Sequence, residues 1–272
     1  MKKKLWTYEV PAGEFVRVLR SFGKFGGSYC YPEGHLRAVI DALAEVIQEK
    51  RGTVLTSACV KQIIVEEGTV KGVIAERKEK TLEITCDAVV SNIGPMQTVM
   101  LAGEQNFDKG YLKEVKQRAI PTRGISFFFG SDKPLIKSPV CLNFPENELL
   151  FCAMDPSITW PDYAPEDKNC LWCWAAVRSD NLEEDIKVAI GEAKEKFPGI
   201  DKHGELLTVQ SYRSGWPVNY AQQGYDVSQK TPVKNLYNVG DGVKPRGYVM
   251  AEGCAESASI VVEDIKKRIA IA

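Results

Sequence analysis

Between residues 35 and 52 the apolar positions Leu36, Val39, Ile40, Leu43, Val46 and Ile47 recur at steps of three and four, the spacing of side chains along one face of a helix. The pattern predicts a helix that starts at His35 and buries that face. Pro32-Glu33-Gly34 forms the turn before it, and Gly52 stops it. Thr53-Val54-Leu55-Thr56 follows, rich in β-branched residues, and predicts a short strand.

The period then shortens. Gln62 to Val65, Val70 to Glu76 and Leu82 to Thr85 are β-prone runs separated by turn-like or charged residues such as Glu67-Gly68, which predicts a three-stranded meander. Ala88-Val89-Val90 predicts a further strand that runs into Ser91-Asn92-Ile93-Gly94-Pro95, a sequence that breaks regular structure and suits a functional loop or a plain turn. From 101 to 225 the character changes. Strands are predicted at Ile125 to Phe129, Leu149 to Met154 and Leu171 to Val177, a helix at Leu182 to Phe197, and a loop with three prolines at Pro156 to Asp167. The last segment predicts strand Leu236-Tyr237-Asn238-Val239, the pair Gly240-Asp241, a glycine-containing loop and a helix from Ala255 to Ile269. No repeat or low-complexity linker interrupts the chain, and the expected fold class is α/β.

Composition narrows the function classes. With 44% hydrophobic and 26% charged residues, 272 residues suffice to bury one or two cores. Lys plus Arg number 35 against 36 Asp plus Glu, so a net charge of −1 offers no field to gather nucleic acid, which is not an expected partner. The eight cysteines, at 30, 59, 86, 141, 152, 170, 173 and 254, are scattered through apolar segments and fit reduced thiols in a cytoplasm. Met1-Lys2-Lys3-Lys4 is basic, but Glu9, Pro11, Gly13, Glu14 and Arg17 break the next stretch, so it lacks a signal-peptide core. No apolar run approaches the roughly 20 residues that span a bilayer, and the expectation is a cytoplasmic protein with at most peripheral membrane contact.

Chemistry concentrates near the C-terminal end of the sequence. Asn235-Leu236-Tyr237-Asn238-Val239-Gly240-Asp241-Gly242-Val243-Lys244-Pro245-Arg246-Gly247 is followed by Tyr248-Val249-Met250-Ala251-Glu252-Gly253-Cys254-Ala255-Glu256-Ser257-Ala258, in the order strand, Gly-Asp, loop, helix. A glycine lets backbone approach a ligand, an aspartate at a strand end accepts hydroxyl hydrogen bonds, and free amides at a helix N-terminus favour electron-rich groups. These are the needs of a bound flavin. The same order also suits a plain strand-turn-helix in which Asp241 caps a loop, and Lys244 and Arg246 suit either an anionic ligand or a solvated surface.

This stretch resembles the C-terminal flavin motif of phytoene desaturases, carotenoid isomerases and their relatives in the flavin amine oxidase superfamily. The resemblance implies FAD as cofactor, with Gly240 and Asp241 at the ribityl or pyrophosphate region and the backbone around Val249, Met250 and Ala251 at the pyrimidine edge of the ring. A second similarity lies in Gly26-Gly27-Ser28-Tyr29-Cys30-Tyr31-Pro32-Glu33-Gly34-His35, the helix after it, and Val54-Leu55-Thr56-Ser57-Ala58-Cys59-Val60. In the family a Pro-x-Gly-Gly segment begins this helix, and a valine matching Val60 holds the adenine through its backbone. His35 stands where the second glycine would be. Asp87 to Pro95 is similar to the family's return strand toward the flavin.

The family's opening strand, Gly-x-Gly-x-x-Gly turn and helix, which cradle the pyrophosphate, have no counterpart in these 272 residues. The expectation is therefore the C-terminal part of such an enzyme. An incomplete FAD-binding Rossmann-like domain (27–100 and 226–272) would be interleaved with part of a mixed-sheet substrate domain (1–26 and 101–225). The resemblance implies oxidation or reduction at a carbon–carbon bond of an apolar substrate of isoprenoid type. Two alternatives stay open: a non-catalytic or split-enzyme subunit whose partner chain carries the N-terminal FAD-binding half, and chemistry of the amine or protoporphyrinogen oxidase kind.

Other candidates carry less. Cys170-Leu171-Trp172-Cys173 has the spacing of a redox pair or half a zinc site, but a buried strand would point the two thiols to opposite faces, and His35 and His203 are the only histidines. No metal site is expected. Tyr212, Trp216, Tyr220 and Tyr225, near Arg213 and Pro217, suit an apolar channel or a core. Neither histidine has a nucleophile-type context, so no catalytic residue is assigned.

Overall fold

The computed structural model describes residues 11–24, 32–119, 122–212 and 224–269. Along the chain run α1 (Ala12–Lys24), α2 (His35–Glu49), β1 (Cys59–Glu66), β2 (Thr69–Arg77), β3 (Lys80–Thr85), β4 (Val89–Ser91), α3 (Pro95–Ala102), α4 (Lys109–Arg118) and β5 (Gly124–Ser131). They continue with β6 (Leu142–Asn143), β7 (Leu150–Met154), β8 (Asn169–Ala176), α5 (Leu182–Lys196), α6 (Ile200–His203), β9 (Gly204–Tyr212), β10 (Leu236–Asn238) and α7 (Met250–Ile269). The chain is mixed α/β, and its described residues divide into two compact units, one of 11–24, 32–119 and 224–269, the other of 122–212.

In the first unit, β1, β2 and β3 form the expected antiparallel meander. Glu67 and Gly68 both take positive φ, 48° and 70°, which makes the tight primed turn that matches strand twist. β4 and β10 form a parallel pair, Leu236 opposite Val89 and Asn238 opposite Ser91. Ile63 and Val70 of the meander pack with Val99 of α3, Tyr111 and Val115 of α4, and Leu236 and Val243, all buried. Residues 101–119 thus belong with the meander, and the boundary expected at residue 100 lies about twenty residues later. Residues 11–24, expected with the other domain, also fall in this unit.

Two expectations fail here. The helix at 35–49 forms, but Leu36, Val39, Ile40, Leu43, Val46 and Ile47 are 43–61% exposed, so its apolar face is bare and not buried. Thr53 to Thr56 forms no strand. Periodicity encodes the propensity of a segment, whereas burial and strand pairing need a partner element, and neither segment has one among the described residues. His35 takes φ +64° directly after Gly34 at +76°, so the backbone keeps the left-handed turn that a glycine pair favours and His35 bears the strain.

The second unit is a five-stranded sheet in the order β6-β7-β8-β5-β9, antiparallel throughout. One face packs Phe127, Phe129, Leu171, Cys173 and Ala175 against Ala189 and Ala193 of α5, with Phe197 beyond it. Asn181 caps α5, its side chain accepting from the Glu184 amide, and Glu183, Glu184 and Asp185 in the first turn with Lys194 and Lys196 in the last suit the helix dipole. Glu192 of α5 accepts the backbone amides of Glu148, Leu149 and Leu150, which fixes the helix against β7. The strands at 125–129, 149–154 and 171–177 and the helix at 182–197 are all present within two residues. β9 was not expected: Gly204–Tyr212 is an edge strand whose sequence lacks clean alternation, because most of its side chains face solvent.

Candidate functional site

Parallel pairing brings the C-terminal ends of β4 and β10 to the same side, where open α/β sheets bind their ligands. Val239 there donates its amide to the Ser91 carbonyl (2.9 Å). Gly240 follows at φ +93°, and a Cβ on it would lie 1.9 Å from Asn92 Oδ1. Its amide donates to Ser257 Oγ of α7 (2.8 Å), and Ser257 Oγ donates to the Cys254 carbonyl (2.6 Å). The glycine that suggested close approach of a ligand is thus also needed for close approach of the β4 loop.

Asp241 and Lys244 form the electrostatic centre of this loop. The Lys244 side chain is 2% exposed, and its ammonium lies 2.5 Å from Asp241 Oδ1 and 3.0 Å from Asp226 Oδ1. The Lys244 amide also donates to Asp226 (2.8 Å). Burial, the largest influence on this ammonium, lowers its pKa, but Asp241 and Asp226 together outweigh it, and the net shift is upward from 10.5. A solvated surface role for Lys244 is therefore excluded. Arg246 by contrast is exposed.

α7 begins at Met250, five residues before the expected Ala255, so its free N-terminal amides belong to Met250, Ala251 and the next residues. Val249 is half-buried, while Met250 and Ala251 are exposed. Met250 has φ +50°, a strained value for a non-glycine residue. The Lys244 stem packs against the α7 backbone, where a Cβ on Gly253 would meet Lys244 Cδ at 2.8 Å. Gly247 (φ +86°) donates its amide to Glu14 Oε1 (2.6 Å), a buried carboxylate of α1 that also pairs with Arg17. Glu14 carried no sequence signal beyond breaking an apolar run. Five of the six sequence-derived positions, Gly240, Asp241, Val249, Met250 and Ala251, thus lie on one strand-loop-helix segment. Val60 lies apart on β1 with its side chain exposed.

The residues present suit the ring and ribityl end of a flavin. Gly240 and Gly242 take φ +93° and +97°, a backbone conformation that favours glycine, Asp241 supplies a carboxylate, and α7 supplies amide donors. The pyrophosphate end is different, since the glycine turn that holds it in α/β dinucleotide folds has no equivalent in the sequence.

Behind the site, Asn238 is fully buried and donates to the Tyr111 hydroxyl (3.2 Å). Burial pushes the Tyr111 phenol up to about 12, with the Asn238 bond pulling the other way. A raised folded-state pKa gives stability that is complete below the unfolded value of 10.0 and is lost as pH rises through about 12. The loss amounts to about 3 kcal/mol. Tyr111→Phe should therefore flatten the decline of the urea midpoint between pH ~9 and ~12. An unchanged slope would remove Tyr111 as its source.

In the other unit, the sheet face opposite α5 carries Phe128, Trp172 and Trp174, half-buried, with ring centroids 5.2 and 3.9 Å apart, and Trp172 Nε1 donates to Ser126 Oγ (2.6 Å). Cys170 and Cys173 lie on opposite faces of β8, with Cys173 in the core, so the pair acts neither as a dithiol nor as half a metal site. No metal-binding cluster of His, Cys, Asp or Glu occurs among the described residues, and no described helix is long and apolar enough to cross a membrane. His203 pairs with Asp132 at the surface (3.1 Å). Tyr212 and Tyr225 are half-buried, whereas Trp216, Tyr220, Arg213 and Pro217 of the aromatic group lie outside the described residues, as do Gly26 to Tyr31.

Comparison with known proteins puts this arrangement, a parallel strand pair ending in Gly-Asp beside a helix N-terminus with a sheet unit inserted between the two strands in sequence, in the flavoprotein oxidoreductase class. Within it, the chain belongs to the flavin-containing amine oxidoreductase family, whose profile matches residues 13–266. An oxidoreductase from Methanosarcina mazei of known structure is 33% identical with a TM-score of 0.83, over 94% of this chain and 60% of its own. A Pyrococcus furiosus protein of known structure is 27% identical with a TM-score of 0.70, over 93% of this chain and 57% of its own. An uncharacterised Methanocaldococcus jannaschii protein is 28% identical over 96% of this chain and 61% of its own length. The chain thus spans about 60% of the length of these relatives.

Proposed function

We propose that this chain forms the flavin-ring and substrate side of an FAD-dependent oxidoreductase similar to phytoene desaturases, acting in the cytoplasm on a carbon–carbon bond of an apolar substrate. The observation that carries the reading is the Gly240–Asp241 turn at the ends of two parallel strands, with Asp241 held by the buried Lys244 beside the start of α7. When bound, the flavin supplies the chemistry by accepting an electron pair from the substrate. Asp241 would hold a ribityl hydroxyl, Gly240 and Gly242 would let the backbone approach, and the amides from Val249 to Ala251 would hold the pyrimidine edge. Val60 would hold the adenine through its backbone. The half-buried Phe128, Trp172 and Trp174 face supports an apolar substrate, since such rings offer flat contact area at low entropic cost.

Visible absorbance tests this reading. Protein purified with FAD, alone and with a polypeptide that supplies the missing glycine turn, should show a flavin band in at least the second case, and its absence in both rejects the proposal. In that complex Asp241→Ala should release flavin at least about tenfold more readily than Cys173→Ala does, the loss of one charge-assisted hydrogen bond. Equal retention in the two variants would remove Asp241 from the site.

A second reading makes the chain by itself a non-catalytic subunit that needs a partner for FAD. It is favoured by the absent glycine turn and by the 60% span of the relatives. Flavin bound by the chain alone argues against it. Amine turnover without polyene turnover would move the substrate toward the amine or protoporphyrinogen oxidase kind.

A further inference from the structure

Two cysteines of the five-stranded sheet take no part in the loop at Gly240 or in the core beneath α5. Residue 141 directly precedes β6, and the register of β6 with β7 sets Asn143 opposite Cys152. Residues opposite one another in an antiparallel pair share a face, as do residues two apart along one strand, so Cys141 and Cys152 are diagonal neighbours on the same face. Cys152 also stands opposite Trp174 of β8, which puts both thiols at the border of the Phe128, Trp172 and Trp174 face. Both are free, Cys141 exposed and Cys152 buried.

The two thiols are within hydrogen-bonding reach and polarise each other in opposite senses. The bond from Cys152 lowers the Cys141 pKa from 9.0 to about 7, against the upward pull of burial. The same bond, reinforced by burial, pushes Cys152 up. Burial pushes Cys86, Cys170, Cys173 and Cys254 up as well. An accessible, acidified thiol beside a protonated one is the arrangement of an attacking and a resolving cysteine. Diagonal neighbours in a sheet lie roughly 7–8 Å apart, and a disulfide takes Cα atoms within about 6.8 Å, so β6 must approach β7 by about an ångström. It has that freedom as a two-residue edge strand, paired only through Leu142 with Ala153 and Asn143 with Cys152.

We propose that Cys141 and Cys152 form a reversible dithiol–disulfide site for low-molecular-weight disulfides, with Cys141 attacking and Cys152 resolving. The Cys141 thiolate attacks one sulfur of a disulfide RSSR, whose S–S bond breaks and releases RS⁻, leaving Cys141 as a mixed disulfide. The charge that held the proton on Cys152 is then gone. Cys152 gives that proton to solvent and attacks Cys141 Sγ, expelling the second RS⁻ as the Cys141–Cys152 bond forms. Both RS⁻ ions take protons from solvent. The two thiols thus lose two electrons and two protons, RSSR becomes two RSH, and excess RSH reverses both steps. The site needs no flavin and is independent of the function proposed above.

The probe is 2-hydroxyethyl disulfide, added to the reduced chain under native conditions and followed by acid quench, alkylation and peptide mass mapping. The first product expected is the Cys141–Cys152 disulfide. Cys141 should react roughly fivefold faster at pH ~7 than an ordinary exposed thiol, since its larger thiolate fraction outweighs its weaker nucleophilicity. Cys59, also exposed, is the internal comparison. In Cys152→Ala the mixed disulfide should persist on Cys141, and the pH midpoint of Cys141 alkylation should climb from about 7 toward 9.0. Cys141→Ser, a change at an exposed position, should abolish the disulfide and leave Cys152 unmodified. A mixed disulfide that persists on Cys141 in the unsubstituted chain, a first disulfide between any other pair, or a Cys141 no faster than Cys59 each overturns the proposal. So does an unmoved midpoint in Cys152→Ala. If Cys152→Ala fails to fold, the unsubstituted chain and Cys141→Ser decide the matter.

Discussion

Gly72→Ala should destabilise the unit built on the meander by about 3 kcal/mol, near the upper end for an overpacked interior. Gly72 sits in the middle of β2, opposite Ile64 on one side and Thr85 on the other. A Cβ there would lie 2.3 Å from the Ile84 carbonyl oxygen and 3.1 Å from Thr85 Cα. Both are backbone atoms of β3, so relief requires β3 to move, and a side-chain rotation will not suffice. The neighbouring Val70 belongs to the core that also holds Val115, Leu236 and Val243, so a displaced strand is felt beneath the Gly240 loop. Hydrogen exchange at residues 72–85 reads the effect locally. Gly191→Ala is the control: Gly191 lies inside α5 with nothing within 4 Å of a new Cβ, so helix propensity predicts a gain of about 1 kcal/mol. The described tryptophans, at 160, 172 and 174, belong to the unit of α5, so hydrogen exchange at residues 72–85, and not tryptophan fluorescence, is the readout for Gly72. A loss below about 1 kcal/mol at Gly72 would mean that β3 accommodates the methyl group.

How far the sequence reveals this structure follows from which forces act locally. The meander was legible because β1 to β3 combine β-prone runs with a Glu67-Gly68 turn, and all of that information lies within consecutive residues. α5 was legible from its apolar period, and its Asn181 cap is equally local. The same logic placed a helix at 35–49 correctly and its burial wrongly, because a period of 3.6 states which side chains share a face and not whether anything covers them. β9 was missed since an exposed edge strand has little need to alternate. At the site, Gly240 and Asp241 stood out by residue type and order. The partners that fix them did not: Asp226 precedes Lys244 by 18 residues, and Glu14 reaches Gly247 across 233 positions. Contacts of that separation leave no trace in one sequence. The early start of α7 was hidden for a different reason, since Met250 begins the helix from a positive φ that no sequence rule would assign to methionine.

The Lys244 ammonium should prove the most sensitive single group in the molecule, with Lys244→Met costing roughly 3–5 kcal/mol, the usual penalty for removing one partner of a buried ion cluster. Methionine matches the stem but leaves Asp226 and Asp241 as neighbouring carboxylates without their shared cation. Lys244→Arg should not rescue it, because the Lys244 stem already touches the α7 backbone at Gly253 and a guanidinium needs more width. Adding Asp226→Asn and Asp241→Asn to Lys244→Met should recover most of the loss, since an uncharged cluster avoids the buried repulsion. If the triple variant is no more stable than Lys244→Met, packing and not charge is what Lys244 contributes. The pH dependence has a definite sign: the Lys244 pKa is raised in the folded chain, so its contribution is whole below the unfolded value of 10.5 and is lost only as pH climbs through the higher folded one. At neutral pH the Lys244 side chain is therefore an ammonium, and its functional consequence is positional. Lys244 fixes Asp241 Oδ1 at the end of β10, so in a flavin-bearing complex Lys244→Met should weaken flavin retention about as much as Asp241→Ala does. The triple variant should restore stability without restoring retention, a split that a purely structural role for the cluster would not produce.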